Sequence, residues 1–350
     1  MNPSEQPLLG DEGDARDHRH MARALALAGA ARPISPPNPW VGAVVVPAGE
    51  TGTTFEGSTA PPGGDHAEVG ALALATAAGL ARGATLYSTL EPCSHHGRTP
   101  PCVDAIVAAG ISRVVVGIVD PDNHVQGSGI AALEAAGVEV RTGVCADEVA
   151  EQLAPYVKHR VTGRPWVVLK MALSLDGRTA APDGSSRWIT GEAARADAHR
   201  LRACSDAVLV GAGTVRTDDP ALTVRVDGGR GEGDEPVRQP LRVVLGGATP
   251  DARVQPALEL SGDLGAVLDD LGSRGVVQVL VEGGARVAHD FHAAGLIDRY
   301  VLYLAPALSG GDDGRPVFVG PGAGTIEGFW RGRLISVERL GEDLRVEVAA

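Results

Sequence analysis

Short β-branched apolar runs alternate with alanine-rich, helix-patterned stretches along nearly the whole chain. In the first half, residues 41–46 (VGAVVV), 84–90 (ATLYSTL), 112–120 (SRVVVGIVD) and 137–143 (GVEVRTG) predict strands. Between them HAEVGALALATAAG, PPCVDAIVAAG and GIAALEAAG predict helices, each closing on the glycine that favours a helix stop. Such alternation predicts an α/β layer with helices covering a sheet. Residues 148–160 continue in helical pattern until 161–165 (VTGRP) break it with Gly and Pro, which places a domain boundary there. A second series follows: strand WVVLKMAL, helix GEAARADAHRLRACS, strands DAVLVGAG, LRVVLGG and VVQVLVEGG, helix ARVAHDFHAAG, strand DRYVLYLAPAL, and a terminal hairpin-like pair, GRLISVERLGEDLRVEVA. The tract VDGGRGEGDEPVRQP lacks core-forming residues and predicts a charged loop. Residues 1–16, polar and rich in acid, Pro and Gly, predict a disordered lead-in, leaving domains over 17–160 and 164–350. A chain of 350 residues is long enough for two such cores.

Charge narrows the partners. With 44 acidic against 31 basic side chains, the net charge of -13 opposes broad attraction to nucleic acid or an anionic membrane and favours a small-molecule substrate. No apolar run approaches the roughly 20 residues that span a bilayer, and the start lacks the basic-then-apolar order of a signal peptide. A cytoplasmic protein is expected. The four cysteines, Cys93, Cys102, Cys145 and Cys204, are too few and scattered for a disulfide scaffold. A reducing compartment follows, where clustered cysteines favour metal or catalysis; Cys145 and Cys204 are expected as buried thiols.

The cluster is HAEV at 66–69 followed by LEPCSHHGRTPPC at 90–102. A catalytic zinc takes three protein ligands and leaves its fourth position for water, and His66, Cys93 and Cys102 supply that number. Glu68 remains as a carboxylate for general acid and base work. His66 and Glu68 lie about 200° apart around an ideal helix, so they converge only if the helix starts at His66, where PPGGD supplies a break. Both cysteines follow prolines, Pro92 and Pro101, and the second suits a helix N-terminus that favours thiolate. HxE followed by PC and a further Cys is the pattern of zinc nucleobase deaminases. The cysteine spacing is wider than CxxC, with SHHGRTPP between. His95, His96 and Arg98 in that loop could grip a polar or phosphorylated substrate, and either histidine could compete as a ligand.

These motifs, with PNPWVGAVVV, DPD, SLDGRTA, WIT, DDPALTVR, RQPLRVV and VEGG, resemble the bifunctional riboflavin-biosynthesis deaminase-reductases over roughly residues 17–350. The resemblance implies an N-terminal cytidine-deaminase-like domain followed by a C-terminal dihydrofolate-reductase-like domain. It implies deamination of a diaminopyrimidinone carrying a ribosylamino phosphate, with one Zn2+, and then reduction of the ribosyl side chain to ribityl with NADPH. A homo-oligomer, dimer or tetramer, is implied as well. Asn38 matches a substrate-binding asparagine, and equally suits a loop-capping role between two prolines. Ala172, Trp188, Thr214, Asp218, Gly247, Gly284, Ala285, Arg286, Val287, Ala288, His289 and Asp290 match cofactor positions. Ser186, Arg202, Leu222, Arg225 and Glu282 match substrate positions, the two arginines as phosphate clamps.

The residues themselves add three points. VGAGTVR puts Arg216 where a dinucleotide fingerprint needs a third small residue, so that motif is absent. VVQVLVEGGARVAHDF instead offers a strand, a two-glycine turn and a helix start able to hold a pyrophosphate. Lys170, inside an apolar strand, must face a cleft or an acid. The chain departs from the family's pattern at Ala43, Thr59, Asp122, Gly246, Gly247 and Ala285. The Gly246-Gly247 change raises a deaminase with a degenerate reductase as an alternative, and a closed four-ligand zinc site would instead mark an interaction protein.

Overall fold

The computed structural model describes residues 9–49, 52–95, 100–122, 125–225 and 238–350. It divides into two compact units, the first ending at Thr162 and the second beginning at Gly163.

In the first unit, helix α1 (Leu9–Ala31) precedes strands β1 (Gly42–Val46) and β2 (Phe55–Ser58), helix α2 (Ala67–Ala77) and strand β3 (Thr85–Leu90). Then come α3 (Cys102–Ala108), β4 (Arg113–Ile118), α4 (Ser128–Ala135), β5 (Glu139–Thr142), α5 (Ala146–Gln152) and α6 (Ala154–Thr162). The sheet order is β2-β1-β3-β4-β5. β1 is antiparallel to both neighbours, and β3, β4 and β5 are parallel. Of the expected lead-in, residues 1–8 lie outside the described residues, and from Leu9 the chain is already helical. The reason is Asp17, wholly buried, which accepts hydrogen bonds from Tyr87, Arg113 and Arg141 and ties α1 to the sheet. With it, Met21, Ala24 and Ala28 form the buried stripe of α1 at helical spacing.

Two glycines set how closely the helices approach. A Cβ on Gly42 would stand 1.9 Å from the Ala24 carbonyl oxygen of α1, and one on Gly57 would stand 2.1 Å from the Ala67 carbonyl oxygen of α2. Only glycine allows those contacts.

The second unit runs β6 (Trp166–Ser174), β7 (Arg178–Ala180), α7 (Glu192–Ala203), β8 (Ala207–Gly211), α8 (Ala212–Asp218), β9 (Leu241–Leu245) and β10 (Leu258–Leu260). It continues with α9 (Leu264–Ser273), β11 (Gln278–Val281), α10 (Ala285–Ala293), β12 (Arg299–Ala305), β13 (Arg315–Pro316), β14 (Arg333–Leu340) and β15 (Asp343–Ala349). Eight strands form one sheet in the order β10-β9-β8-β11-β6-β12-β15-β14, parallel as far as β12 and antiparallel beyond it. Alternate residues of β6 enter opposite cores. Val167, Leu169, Met171 and Leu173 pack with Leu268, Leu271 and Phe291 from α9 and α10, whereas Val168 packs with Ala194 and Val215 from α7 and α8. Both faces are therefore covered, which explains why WVVLKMAL is apolar at every position but Lys170. Cys145 and Cys204, expected as buried, are only half-buried, because each stands at a helix boundary, the start of α5 and the end of α7.

Candidate active sites

In the first unit the expected tripod is assembled. His66 is the N-cap of α2 and Cys102 the first residue of α3, so two helix starts and the Cys93 loop bring the donors together. His66 Nδ1 lies 3.2 Å from Cys102 Sγ and 3.6 Å from Cys93 Sγ, and all three donor atoms lie within 4.8 Å of one another. Tetrahedral zinc, with bonds of about 2.0–2.3 Å, separates its ligands by similar amounts, so the set fits zinc. No fourth His, Cys, Asp or Glu joins the group among the described residues. His95 lines the adjoining pocket without joining the set, and His96 and Arg98 lie outside the described residues.

Hydrogen bonding from Cys102, with His66 beside it, holds the Cys93 thiol well below its usual range. The backbone N–H of Cys102 donates to Cys93 Sγ at 3.4 Å. Glu68, on the first turn of α2, is 4% exposed, and burial pushes its carboxyl up to about 7. Starting the helix at His66 puts Glu68 in its first turn, where it lines the same pocket as His66 and Cys93.

The pocket over this site is walled by Asn38, Thr59, Glu91, Asp120, Asp122, Tyr156 and Arg160. Thr59 is buried, donating to the Pro39 carbonyl and accepting from the Val41 N–H, so its hydroxyl shapes the Asn38 segment. Glu91 accepts backbone N–H groups from Asp120, Gly127, Gly129 and Ile130, which fixes α4 against the Cys93 loop. The Tyr156 hydroxyl donates to both Asp120 carboxylate oxygens. Sequence reasoning assigned no role to Glu91, Asp120, Tyr156 or Arg160. The i, i+4 spacing of Tyr156 and Arg160 on α6 was the signal available.

The second unit has a cleft lined by Lys170, Ala172, Ser186, Trp188, Thr214, Asp218, Glu282, Gly284 and Ala285, which gathers eight of the expected positions around Lys170. The first turn of α10 has no side-chain cap, and Gly284, its N-cap, donates its N–H to Thr214 Oγ1 at 3.1 Å. A Cβ on Gly283 would stand 2.7 Å from Val287, so that turn must be bare backbone. Uncapped N–H groups on a glycine turn beside a cleft fit a dinucleotide's pyrophosphate. Arg286, Val287 and Asp290 line a second hollow with Gly246. Gly247 stands beside Gly246, where a Cβ would be 3.6 Å from a Glu259 carboxylate oxygen.

Other matched positions lie outside the cleft wall. Ala288 is fully buried in the core, and His289 Nε2 donates to the Pro321 carbonyl. Leu222 is buried in the apolar core at φ +52°. Arg202 does not present a free fork for phosphate: its Nε and Nη2 donate to the Glu282 carboxylate at 2.6 and 2.7 Å, and Nη1 donates to the Thr223 carbonyl. Arg225 is exposed and absent from the cleft wall, its N–H donating to His199 Nδ1. Burial pushes Glu282 up, but the charge and hydrogen bond of Arg202, together with the charges of Lys170 and His199, hold the carboxyl below its usual range. Burial lowers Lys170, against the pull of Glu282. Lys170 thus has both the cleft and the acid expected of it.

The chain matches the family described as "RibD C-terminal domain" over residues 165–346 and "Cytidine and deoxycytidylate deaminase zinc-binding region" over residues 14–118. It is 45% identical over 325 residues to the riboflavin biosynthesis protein RibD of Mycobacterium tuberculosis (strain H37Rv), covering 90% of this chain and 91% of that protein. Among solved structures it is similar to Acinetobacter baumannii RibD, with a TM-score of 0.87, 37% identity and coverage of 96% of this chain and 99% of that one. A Thermotoga maritima protein described as a diaminohydroxyphosphoribosylaminopyrimidine deaminase/5-amino-6-(5-phosphoribosylamino)uracil reductase has a TM-score of 0.83, 34% identity and coverage of 96% and 99%.

Proposed function

Because the chain belongs to the RibD family of riboflavin biosynthesis, we propose that its two units act in succession on one phosphorylated pyrimidine. It is a bifunctional, zinc-dependent deaminase and NADPH-dependent reductase. The first unit converts a diaminopyrimidinone carrying a ribosylamino 5'-phosphate to 5-amino-6-(5-phosphoribosylamino)uracil, and the second reduces the ribosyl group to ribityl. The observation that carries this reading is a three-donor metal site with a buried carboxylate at the floor of a pocket.

His66, Cys93 and Cys102 would hold the zinc, whose Lewis acidity makes water a nucleophile at neutral pH. Glu68 takes a proton at its carboxylate and returns it to the departing amine, so that water enters and ammonia leaves. Its burial keeps the proton transfer away from solvent. The Asn38 side chain lines the pocket and can hydrogen-bond the polar edge of the pyrimidine.

In the second unit NADPH supplies hydride. The protein would supply position and a proton for the ribosyl ring oxygen as its bond to the reduced carbon opens. Lys170, a cleft-lining ammonium whose pKa burial lowers, is suited to give it. Glu282 and its Arg202 partner orient the ribosyl hydroxyls beside it. The uncapped turn at Gly284 would hold the cofactor's pyrophosphate, and Thr214, Asp218 and Trp188 line the same cleft. Lys170, Glu282 and Gly284 line one cleft, which supports a working reductase over a degenerate one.

The outer strand β14 exposes Leu334 and Val337, and Phe329 and Trp330 just before it are exposed too. An apolar sheet edge of this kind is the face a second copy would cover, in keeping with a homo-oligomer. No described helix is long and apolar enough to cross a membrane. The free cysteines fit a reducing, cytoplasmic setting.

The test offers purified protein the ribosylated diaminopyrimidinone phosphate and follows ammonia release and NADPH oxidation separately. Both signals are expected. Ammonia without NADPH oxidation would remove the second reaction, and stoichiometric zinc with neither signal would make the metal structural.

A further inference from the structure

The wall of the deaminase pocket is rich in carboxylates, which suits an anionic substrate badly. Glu68, Glu91, Asp120 and Asp122 all line it. The Glu91 carboxylate is occupied by four backbone N–H groups and that of Asp120 by the Tyr156 hydroxyl and the Asp122 N–H. Asp122 faces Arg160, whose Nε stands 3.8 Å from its carboxylate. Arg160 is the one guanidinium lining this pocket among the described residues.

Its setting differs from that of the other arginine implicated in substrate binding. Arg202 is locked to Glu282 by two short hydrogen bonds. Arg160 meets Asp122 beyond hydrogen-bond length and lies over the Tyr156 ring, 5.0 Å from its centroid. The ring and the carboxylate hold the guanidinium at the pocket wall. Its side chain is 34% exposed, whereas Glu68 is 4% exposed, so Arg160 marks the rim and Glu68 the floor. A pyrimidine placed with its amine at the floor sends its ribosyl phosphate towards the rim.

We propose that Arg160 is the specificity-determining residue that binds the substrate's 5'-phosphate in the deaminase unit, steadied by Tyr156 and Asp122. This rests on the deaminase reading of the same pocket. A planar fork takes two phosphate oxygens at once and discriminates a phosphorylated ribosyl group from a bare one.

The full-length, zinc-loaded protein and its Arg160→Met and Arg160→Lys variants are compared on the phosphorylated substrate and on the same compound without phosphate. Expected is a roughly 10- to 100-fold fall in the preference for the phosphorylated compound in Arg160→Met, carried by KM, with partial recovery in Arg160→Lys. A second measurement needs no turnover: calorimetric affinity of Glu68→Gln protein for the phosphorylated substrate should weaken by the same factor when Arg160→Met is added. An unchanged preference or an unchanged affinity, with ammonia still released by the unaltered protein, would overturn the assignment and leave the deaminase reading standing. An unaltered protein that releases no ammonia from either compound would overturn both.

Discussion

Glu68 and Cys102 show how much a single side chain can be read from its neighbours in sequence. An imidazole, a carboxylate and two thiols in that order have few other joint uses, so the metal tripod and its acid were legible before any coordinates. Glu68→Gln should retain stoichiometric zinc and lose ammonia release by roughly 10²- to 10⁴-fold, the range of a general acid-base group. Metal analysis beside an ammonia assay checks it, and retained turnover would remove Glu68 from the mechanism. Cys93→Ser or Cys102→Ser should lose the metal itself. Arginines were less legible. Arg202 was expected to clamp phosphate, yet it pairs with a carboxylate 80 positions away, which local spacing cannot reveal. Leu222 and Ala288 match family positions in sequence but turn into the core.

Elements with strong apolar contrast were legible, and those defined by close contact were not. β2 reads FEGS, without a β-branched run, because Gly57 must let α2 sit directly upon it. Gly57→Ala should therefore displace the start of α2, destabilise the protein by about 2 kcal/mol or more and lower zinc affinity, since His66 precedes the displaced Ala67. Thermal melting with and without zinc reads both effects. α1 escaped notice because its buried stripe consists of an acid, a methionine and two alanines, so it carries little hydrophobic contrast. Burial raises the Asp17 carboxyl, but its hydrogen bonds from Arg113 and Tyr87 hold it below the usual range. Asp17→Ala, which strands those partners, should cost about 3 kcal/mol at neutral pH. The sign follows from the lowered pKa: the stabilisation is complete above the unfolded value of about 3.9 and is lost as pH falls through the folded one. The gap between the denaturation midpoints of the two proteins should thus narrow in acid, and a gap independent of pH would count against this account.

For the whole molecule, two chemistries on separate units should come apart by point substitution. Glu68→Gln should still oxidise NADPH when given the deaminated uracil, and Glu282→Gln, which leaves Arg202 without its carboxylate, should still release ammonia while losing NADPH oxidation. Loss of both signals from either substitution would tie the sites together. Leu334→Glu with Val337→Glu should reduce the mass seen by light scattering if β14 is the self-association edge; an unchanged mass would place that edge elsewhere. The break at VTGRP was legible because Gly and Pro end a helix wherever they fall, and the units do meet at Thr162 and Gly163. The matched zinc-binding region stops at residue 118, yet Asp120, Asp122, Tyr156 and Arg160 all stand beyond it. A fragment trimmed to that limit would keep every ligand for the ion and forfeit the wall that chooses what approaches it. The smallest piece worth expressing for selective deamination therefore extends through α6.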